Sequence, residues 1–366
     1  MKIAGFDIYR YEIPFVHPIK VGGRELHART GLVVCFYDEA GHTGHGEIAP
    51  LPGLHHESLE EATRQFRIVV PDLQLANLDE GFAKLSGRFD AWLSDFGLYP
   101  SVRLGIEMAV LNLLSDVVGK PLYKLLACDA VDAISVNGLL SGTREEILKS
   151  AACMKAEGYR TVKLKVGRLN FYEEIEIVKI VRNLLGKDVI LRLDANRSWS
   201  FEQAVEFGLA VADCNIEYIE EPLQSPSLLC LFTEKTGIPI ALDETLADGC
   251  NPYEQVSPEC LAALVLKPSV LGGLERTAKY AREASRYGVM PVISSTFDSG
   301  LSLAAFANLA ATFRQRDVAS GLDTYKFLQA DVLEQRFEAR GGFVYVGRAY
   351  QSTQNLNFSV LEKLSV

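Results

Sequence analysis

Short apolar runs alternate with longer amphipathic stretches between about residue 132 and residue 322. Runs of strand length occur at 133–140, 161–166, 189–194, 216–221, 238–243, 261–267, 290–295 and 317–322. Apolar positions at helical spacing fill the intervals, at 144–157, 171–186, 201–213, 225–236, 273–287 and 300–313. Eight strands that alternate with helices favour a parallel barrel over an open sheet, so the pattern predicts a (β/α)8-type TIM barrel.

The first part of the chain has a different pattern. Apolar and polar residues alternate, as in half-buried strands, over 2–12, 31–38 and 42–49. Helical spacing follows at 57–70, 78–96 and 101–118. After residue 330 the barrel rhythm ends, and 335–350 predicts a strand pair. We therefore predict an α+β capping domain over 1–125, a catalytic barrel domain over 126–330, and a segment, 331–366, that returns to the capping domain.

Composition and charge narrow the range of functions. The chain has 366 residues, enough for a barrel of about 250 residues and a second domain. A net charge of −10 and the lack of a long basic run disfavour nucleic acid and anionic membranes as partners. No apolar run approaches the roughly 20 residues of a membrane span. The seven cysteines form no CxxC pair, which favours free thiols in the cytoplasm. The sequence indicates no oligomeric state.

Five charged residues lie at the ends of successive predicted strands. They are Lys165, Asp194, Glu220, Asp243 and Lys267, on predicted strands 2 to 6, and 23 to 29 residues separate each from the next. The active sites of such barrels lie at the carboxyl ends of the strands. Because strands 2 and 6 are half a turn apart in a circle of eight, the two lysines face each other, with the three acids on the arc between them.

This arrangement predicts a particular chemistry. All six histidines fall within the first 56 residues, so the barrel has no imidazole to act as base or metal ligand. Three hard oxygen ligands suit Mg²⁺, which would bind a substrate carboxylate. Lys165 is a candidate base if its pKa falls towards neutrality, and Lys163, on the same face of the strand, would lower that pKa. A structural ring of ion pairs is the alternative interpretation.

These residues form a set of motifs that resembles the muconate-lactonizing subgroup of the enolase superfamily. The motifs are Lys163-Leu164-Lys165, Asp194-Ala195-Asn196, Glu220-Glu221-Pro222, Asp243-Glu244 and Lys267-Pro268. Other stretches resemble the o-succinylbenzoate synthase family of that subgroup, which serves menaquinone biosynthesis. They are Gly46 to Gly53, Val136 to Leu140, Ser294 to Gly300 and Gly321 to Thr324. The resemblance implies a modified (β/α)7β barrel, with a capping domain whose loops close over the substrate.

The resemblance also implies roles for individual residues. Asp194, Glu220 and Asp243 would hold Mg²⁺, with Mn²⁺ as a substitute, and Asn196 would support Asp194. Lys165 would remove the proton alpha to a small-molecule carboxylate, give an enediolate and then protonate the departing hydroxyl, while Lys267 would stabilise the intermediate. The substrate would contact Lys163, Asn137, Ser295, Thr296, Ser299 and Gly300.

Two other functions remain open at this stage. An N-acylamino acid racemase or dipeptide epimerase also needs two opposed lysines. Such epimerases commonly carry Asp-x-Asp after strand 8, where this chain has the single Asp323, which favours the lyase. A binding module with an inactive site is the third reading, and the presence of all five charged residues argues against it. No role follows from the sequence for His55 and His56.

Overall fold

The structure, a computed structural model, describes residues 1–247, 251–313 and 317–365. Cys250 lies outside the described residues, and the other six cysteines are free thiols. The strands are β1 (Gly5–Val21), β2 (Arg24–Tyr37), β3 (Thr43–Ile48), β4 (Ala133–Ser135), β5 (Gly138–Leu140), β6 (Thr161–Lys165), β7 (Ile190–Asp194), β8 (Ile216–Glu220), β9 (Ile240–Leu242), β10 (Leu261–Leu266), β11 (Met290–Ile293), β12 (Phe343–Tyr345) and β13 (Leu361–Lys363).

Helices connect these strands. They are α1 (Leu59–Leu73), α2 (Arg88–Leu93), α3 (Pro100–Val118), α4 (Leu122–Leu126), α5 (Arg144–Glu157), α6 (Phe171–Leu185), α7 (Phe201–Ala210), α8 (Leu229–Thr236), α9 (Glu244–Ala247), α10 (Pro252–Gln255), α11 (Pro268–Leu271), α12 (Leu274–Arg286), α13 (Gly300–Ala310) and α14 (Val346–Ser352). Within the described ranges, no helix has the length and apolar content that a bilayer crossing requires.

Local sequence determines where several helices begin. Ser58, Thr143 and Ser200 each accept a hydrogen bond from the backbone three residues on, at the starts of α1, α5 and α7. The side chain of the third residue of each helix, a Glu or Gln, accepts a hydrogen bond from the backbone amide of the cap residue, which completes a capping box. These reciprocal bonds satisfy amides that lack a partner in the first helical turn, so the helices begin where the strand–helix alternation predicts them.

The strands β5 to β11 form one parallel sheet in which each strand pairs with the next along the chain. The segment predicted as an eighth strand, 317–322, forms only two parallel bridges, from Ser320 to Val136 and from Gly321 to Ser294. Since Val136 precedes β5 and Ser294 follows β11, these bridges connect the two edges of the sheet. The fold is therefore a modified (β/α)7β TIM barrel, as the family resemblance implied, together with an α+β capping domain.

The capping domain is built on an antiparallel sheet in the order β13-β1-β2-β3. The predicted strand pair at 335–350 is wrong. Only Phe343–Tyr345 is a strand there, it pairs with β4, and α14 follows it. The return to the capping domain is made instead by β13, whose Leu361 to Lys363 pair with Tyr11 to Tyr9 of β1.

Two predicted elements are interrupted. The helix expected at 78–96 is divided into 3-10 turns and the short α2, because Leu85 and Gly87 adopt left-handed φ values of 48° and 103° that end helical hydrogen bonding. The strand expected at 133–140 is divided into β4 and β5, and between them the Val136 amide bonds to the Gly342 carbonyl oxygen at 2.8 Å.

Helix α3 packs on both the capping sheet and the barrel helices α11 and α12. Two small residues of α3, Gly105 and Ala109, lie where the helix meets β3. A Cβ atom at Gly46 would overlap the backbone oxygen of Gly105, and one at Gly44 would overlap the backbone oxygen of Ala109. This backbone contact fixes the end of β3, and hence the loop that leads from it towards the barrel mouth.

Candidate active site

Three acidic side chains lie on adjacent strands at the carboxyl edge of the barrel. Asp194 ends β7, Glu220 ends β8 and Asp243 follows β9, and the backbone register pairs Asp194 with Glu220 directly. Asp194, Glu220 and Asp243 are 0%, 0% and 6% exposed to solvent, respectively. Carboxylates are almost never buried this deeply without cations, so the group requires positive charge from its surroundings.

Lys163 supplies part of that charge. Its Nζ lies 3.0 Å from Oδ2 of Asp194 and 3.1 Å from Oε2 of Glu220. Burial opposes the charged form, but these two carboxylates outweigh burial and raise the pKa of Lys163 well above its usual range. Lys163 is therefore an ammonium group that bridges the two acids.

Lys165, at the end of β6, has a different balance. Its Nζ lies 2.6 Å from Oδ2 of Asp194 and 2.8 Å from Oδ1 of Asn196. Burial is the largest influence, and together with repulsion from Lys163 it outweighs Asp194 and lowers the pKa of Lys165. A lysine whose pKa is lowered loses its proton more readily, which a general base requires.

Lys267 lies on the other side of the acids. Its Nζ forms an ion pair with Oδ2 of Asp243. Burial opposes the charged form, but Asp243 and Glu244 outweigh it and raise the pKa of Lys267. The five predicted residues therefore come together, with Lys165 paired at one end of the acid arc and Lys267 at the other.

The donor set fits a hard divalent cation. Burial and Asp194 raise the pKa of Glu220 well above its usual range, which marks a carboxylate with too little compensating positive charge. As the side chains stand, no group of three His, Cys, Asp or Glu residues in the described ranges is arranged to hold a metal. The lysine ammonium groups lie among the carboxylates instead, so a bound cation would require them to move aside.

Asn196 connects Asp194 to Glu244, the residue after Asp243. Its backbone amide donates to Oδ1 of Asp194 at 3.2 Å, and its Nδ2 donates to Oε1 of Glu244 at 2.9 Å. Its φ of 44° is in the left-handed region, which is uncommon for a residue other than glycine. Asparagine adopts this conformation more readily than most residues, and here it directs both the amide and the side chain of Asn196 at acidic neighbours.

Glu221, for which the sequence predicts no role, supports the backbone of the site. This residue is fully buried and has a left-handed φ of 42°. Its Oε1 accepts from the amides of Asp243 at 3.0 Å and Thr245 at 2.7 Å, and its Oε2 accepts from Nε of Arg197 at 3.0 Å. Glu221 thus fixes the backbone that carries Asp243. The signal in the sequence was the second acid of Glu220-Glu221-Pro222.

Three of the residues predicted to contact the substrate form hydrogen bonds with other protein groups. Asn137 is buried, and its Oδ1 accepts from the guanidinium of Arg192 at 3.4 Å. The hydroxyl of Ser295 lies 2.7 Å from that of Thr324. The Thr296 hydroxyl donates to Oδ1 of Asp298 at 2.9 Å. Asn137, Ser295 and Thr296 thus bond to the protein itself, and their contacts with substrate stay predictions.

Ser299 and Gly300, both predicted to contact the substrate, are the N-cap and the first residue of α13. Their amides are directed at protein carboxylates, with Ser299 donating to Glu47 at 3.3 Å and Gly300 donating to Asp331 at 2.9 Å. A helix N-terminus favours such contacts with carboxylates. A substrate would have to compete with Glu47 and Asp331, which sequence reasoning did not anticipate.

Comparisons with known proteins agree with this geometry. The family described as Enolase C-terminal domain-like matches residues 146–350, and the MenC N-terminal domain family matches residues 3–113. Protein PHYLLO, chloroplastic, of Arabidopsis thaliana is 35% identical over 91% of this chain, which spans 21% of that protein. The o-succinylbenzoate synthase of Pasteurella multocida is 32% identical over 90% of this chain and 92% of its own length.

A solved structure shows the same fold. The dipeptide epimerase of Enterococcus faecalis, complexed with Mg and the dipeptide L-Leu-L-Tyr, superimposes with a TM-score of 0.82 over 99% of this chain and 100% of that chain, at 20% identity. Members of the superfamily generally use Mg²⁺.

The barrel, the capping domain and the arc of acids between lysines define a member of the enolase superfamily. Within this superfamily, the chain belongs to the o-succinylbenzoate synthase family, an enzyme family of carbon–oxygen hydro-lyases.

Proposed function

We propose that this protein is a Mg²⁺-dependent o-succinylbenzoate synthase. It dehydrates 2-succinyl-6-hydroxy-2,4-cyclohexadiene-1-carboxylate in menaquinone biosynthesis. The observation that carries the proposal is the arc of Asp194, Glu220 and Asp243 between Lys165 and Lys267, in a chain of that family. We also propose that the protein acts in the cytoplasm.

Asp194, Glu220 and Asp243 would hold Mg²⁺, for which Mn²⁺ can substitute. When bound, the cation neutralises these acids and stabilises negative charge that develops on the substrate carboxylate. Two neighbouring residues hold these ligands in place: Glu221 fixes the backbone of Asp243, and the Asn196 amide donates a hydrogen bond to Asp194.

Lys165 carries the proton. In its neutral form, Nζ removes the proton alpha to the carboxylate, which leaves an enediolate, and the resulting ammonium then protonates the departing hydroxyl on the same face. Burial and the charge of Lys163 lower the pKa of Lys165, which makes its neutral form accessible. One group can serve both steps because the abstracted proton stays on its nitrogen, as a syn-elimination requires.

Lys267 acts as a fixed positive charge. The carboxylates of Asp243 and Glu244 outweigh burial and raise its pKa, so it stays an ammonium group. A preorganised cation beside the substrate stabilises the anion that forms when the proton leaves. Dehydration needs one lysine that transfers the proton and one that stays charged, whereas epimerisation requires each lysine to exchange a proton.

The residue after the eighth strand position also favours the lyase. Asp323 is 4% exposed, accepts from the Tyr159 hydroxyl at 2.9 Å and forms an ion pair with Lys326 at 3.1 Å. It is therefore occupied by protein groups, and it is not presented to the ammonium group of a dipeptide.

A spectrophotometric assay tests the proposal. We expect turnover of the cyclohexadiene carboxylate that is lost on chelation and restored by Mg²⁺ or Mn²⁺. A panel of N-acyl amino acids and dipeptides is run beside it. Epimerisation of that panel without turnover of the cyclohexadiene carboxylate would overturn the proposal in favour of the racemase and epimerase alternative.

A further inference from the structure

Two segments of the capping domain meet backbone to backbone. The tip of the β1–β2 hairpin carries Gly22, and the loop that follows β3 carries Gly53. A Cβ atom at Gly22 would overlap the carbonyl oxygen of Gly53, and one at Gly53 would overlap that of Val21. With no side chain between them, the hairpin tip (19–25) and the 51–56 loop are packed as one unit.

His55 is bonded at both ring nitrogens. Its Nδ1 accepts from the Leu51 amide at 3.0 Å, so the proton must be on Nε2, which donates to the Ser269 carbonyl oxygen at 3.1 Å. Burial lowers the pKa of His55, which keeps the ring neutral, as this pair of bonds requires. The first bond shapes the 51–56 loop, and the second crosses to the barrel.

The bond reaches the barrel next to Lys267. Helix α11 is a single turn that begins directly after Lys267, and its amides at Val270 and Leu271 bond to the Lys267 carbonyl oxygen at 3.0 and 2.9 Å. Carbonyls at the end of such a turn lack helical donors. His55 supplies a donor to Ser269, so the loop is anchored on the same turn that fixes the Lys267 backbone.

A chain of further hydrogen bonds leads from the barrel back to the capping domain. The Ser269 hydroxyl lies 3.1 Å from that of Thr296, and Thr296 donates to Asp298. Asp298 pairs with Nη2 of the buried Arg29 at 3.1 Å. Nη1 of Arg29 donates to the Pro50 carbonyl oxygen at 3.2 Å, which leads back to the start of the 51–56 loop. We call this set of residues the clasp.

We propose that His55 is a positioning residue that holds the capping loops against the turn following Lys267. It contacts neither Lys267 Nζ nor the three acids, so it acts on closure over the substrate rather than on proton transfer. The kinetic part of this inference rests on the proposed function. The structural part, a shared anchoring of 19–25 and 51–56 through one side chain, does not.

Two conservative variants separate the two bonds of His55. In His55→Asn, the amide oxygen takes the place of Nδ1 and can keep the Leu51 bond, but the side chain does not reach Ser269. In His55→Gln, the amide nitrogen takes the place of Nε2 and can keep the Ser269 bond. A role confined to shaping the loop would leave His55→Asn like the wild type, whereas positioning across the domains would spare His55→Gln instead. The exposed neighbour, as His56→Asn, is the matched control.

The test combines steady-state kinetics on the cyclohexadiene carboxylate with hydrogen exchange measured by mass spectrometry. For His55→Asn we expect KM to rise up to about tenfold, the effect of the one lost hydrogen bond to Ser269, with kcat changed less than about threefold. Exchange should quicken in 19–25 and 51–56 together. His55→Gln and His56→Asn should remain close to the wild type in both measurements.

Wild-type KM and wild-type exchange in His55→Asn would overturn the inference, as would a loss of kcat at unchanged KM. Faster exchange in 51–56 alone would overturn the joint movement of the two segments. A wild-type protein that fails to turn over the cyclohexadiene carboxylate would contradict the proposed function only, because the exchange measurement still tests the clasp.

Discussion

The two lysines that flank the acids are the same residue type in opposite electrostatic settings. Lys165 has Lys163 close by, and burial with that second ammonium lowers its pKa, whereas Lys267 has Asp243 and Glu244, which raise its pKa against burial. The effect of Lys163 on Lys165 could be predicted from the sequence, because alternate residues of a strand share a face. The effect of Asp243 on Lys267 could not, because their approach depends on how adjacent strands are placed.

Glu221 gives a prediction at the scale of one residue. Glu221→Gln keeps the shape of the side chain but weakens its bonds to the amides of Asp243 and Thr245 and to Arg197. We expect Mg²⁺ affinity to fall about 10- to 100-fold, as for other groups that orient metal ligands, measured by isothermal titration calorimetry. Glu176→Gln, exposed on α6, is the control. Unchanged affinity in Glu221→Gln would contradict the role we give to Glu221.

At the scale of elements, the alternation of apolar runs predicted β6 to β11 and their helices well, because it reports which faces are buried. The alternation failed to predict the structure where it depends on which strands pair with each other. The residues 317–322 are apolar enough for a strand, but Ser320 and Gly321 each make one bridge, which closes the barrel without forming a ladder. The residues 343–345 pair with β4 and not with the capping sheet, and no local pattern records the choice of partner.

The contact between β3 and α3 gives a prediction for two packed elements. Gly46→Ala places a methyl group on the backbone of Gly105, which cannot rotate away. Gly46 has no left-handed φ, so the substitution tests packing alone. We expect the free energy of unfolding to fall by about 1 to 3 kcal/mol, measured by urea denaturation. Gly347→Ala, where the nearest atom to the new Cβ is the Tyr123 hydroxyl at 3.3 Å, is the control. Equal stability of the two variants would contradict this packing.

At the scale of the whole molecule, Asp323 follows the segment that closes the barrel. Burial outweighs Lys326 and raises its pKa from 3.8 to about 6. A raised carboxyl pKa means that the folded state binds the proton more tightly. The resulting stabilisation is present below pH 3.8 and is lost as the pH rises through about 6.

The variant Asp323→Asn removes this titration. We expect the stability of the wild type relative to Asp323→Asn to fall by about 1 to 2 kcal/mol between about pH 5 and about pH 8. Urea denaturation of both proteins at the two pH values measures the difference. Identical pH dependence of the two proteins would show that Asp323 does not titrate in this range.

The site as a whole was predictable only in part. The strand-end residues could be predicted because the carboxyl ends of parallel strands meet at one edge. Arg29, Glu47 and His55 could not be, because each contacts a barrel segment more than 200 residues away, such as Ser269 for His55. In the chain alone they look like ordinary loop and strand residues, and only the docking of the two domains gives them partners.

The most direct test of the account is turnover of the cyclohexadiene carboxylate by Lys165→Ala beside the wild type, with Mg²⁺ binding measured by calorimetry on the same samples. Loss of a general base costs about 10² to 10⁴-fold, and here the same group also protonates the leaving hydroxyl. We therefore predict that turnover falls at least about 10³-fold while Mg²⁺ still binds. Turnover within about tenfold of the wild type would contradict proton transfer through Lys165, and with it the mechanism.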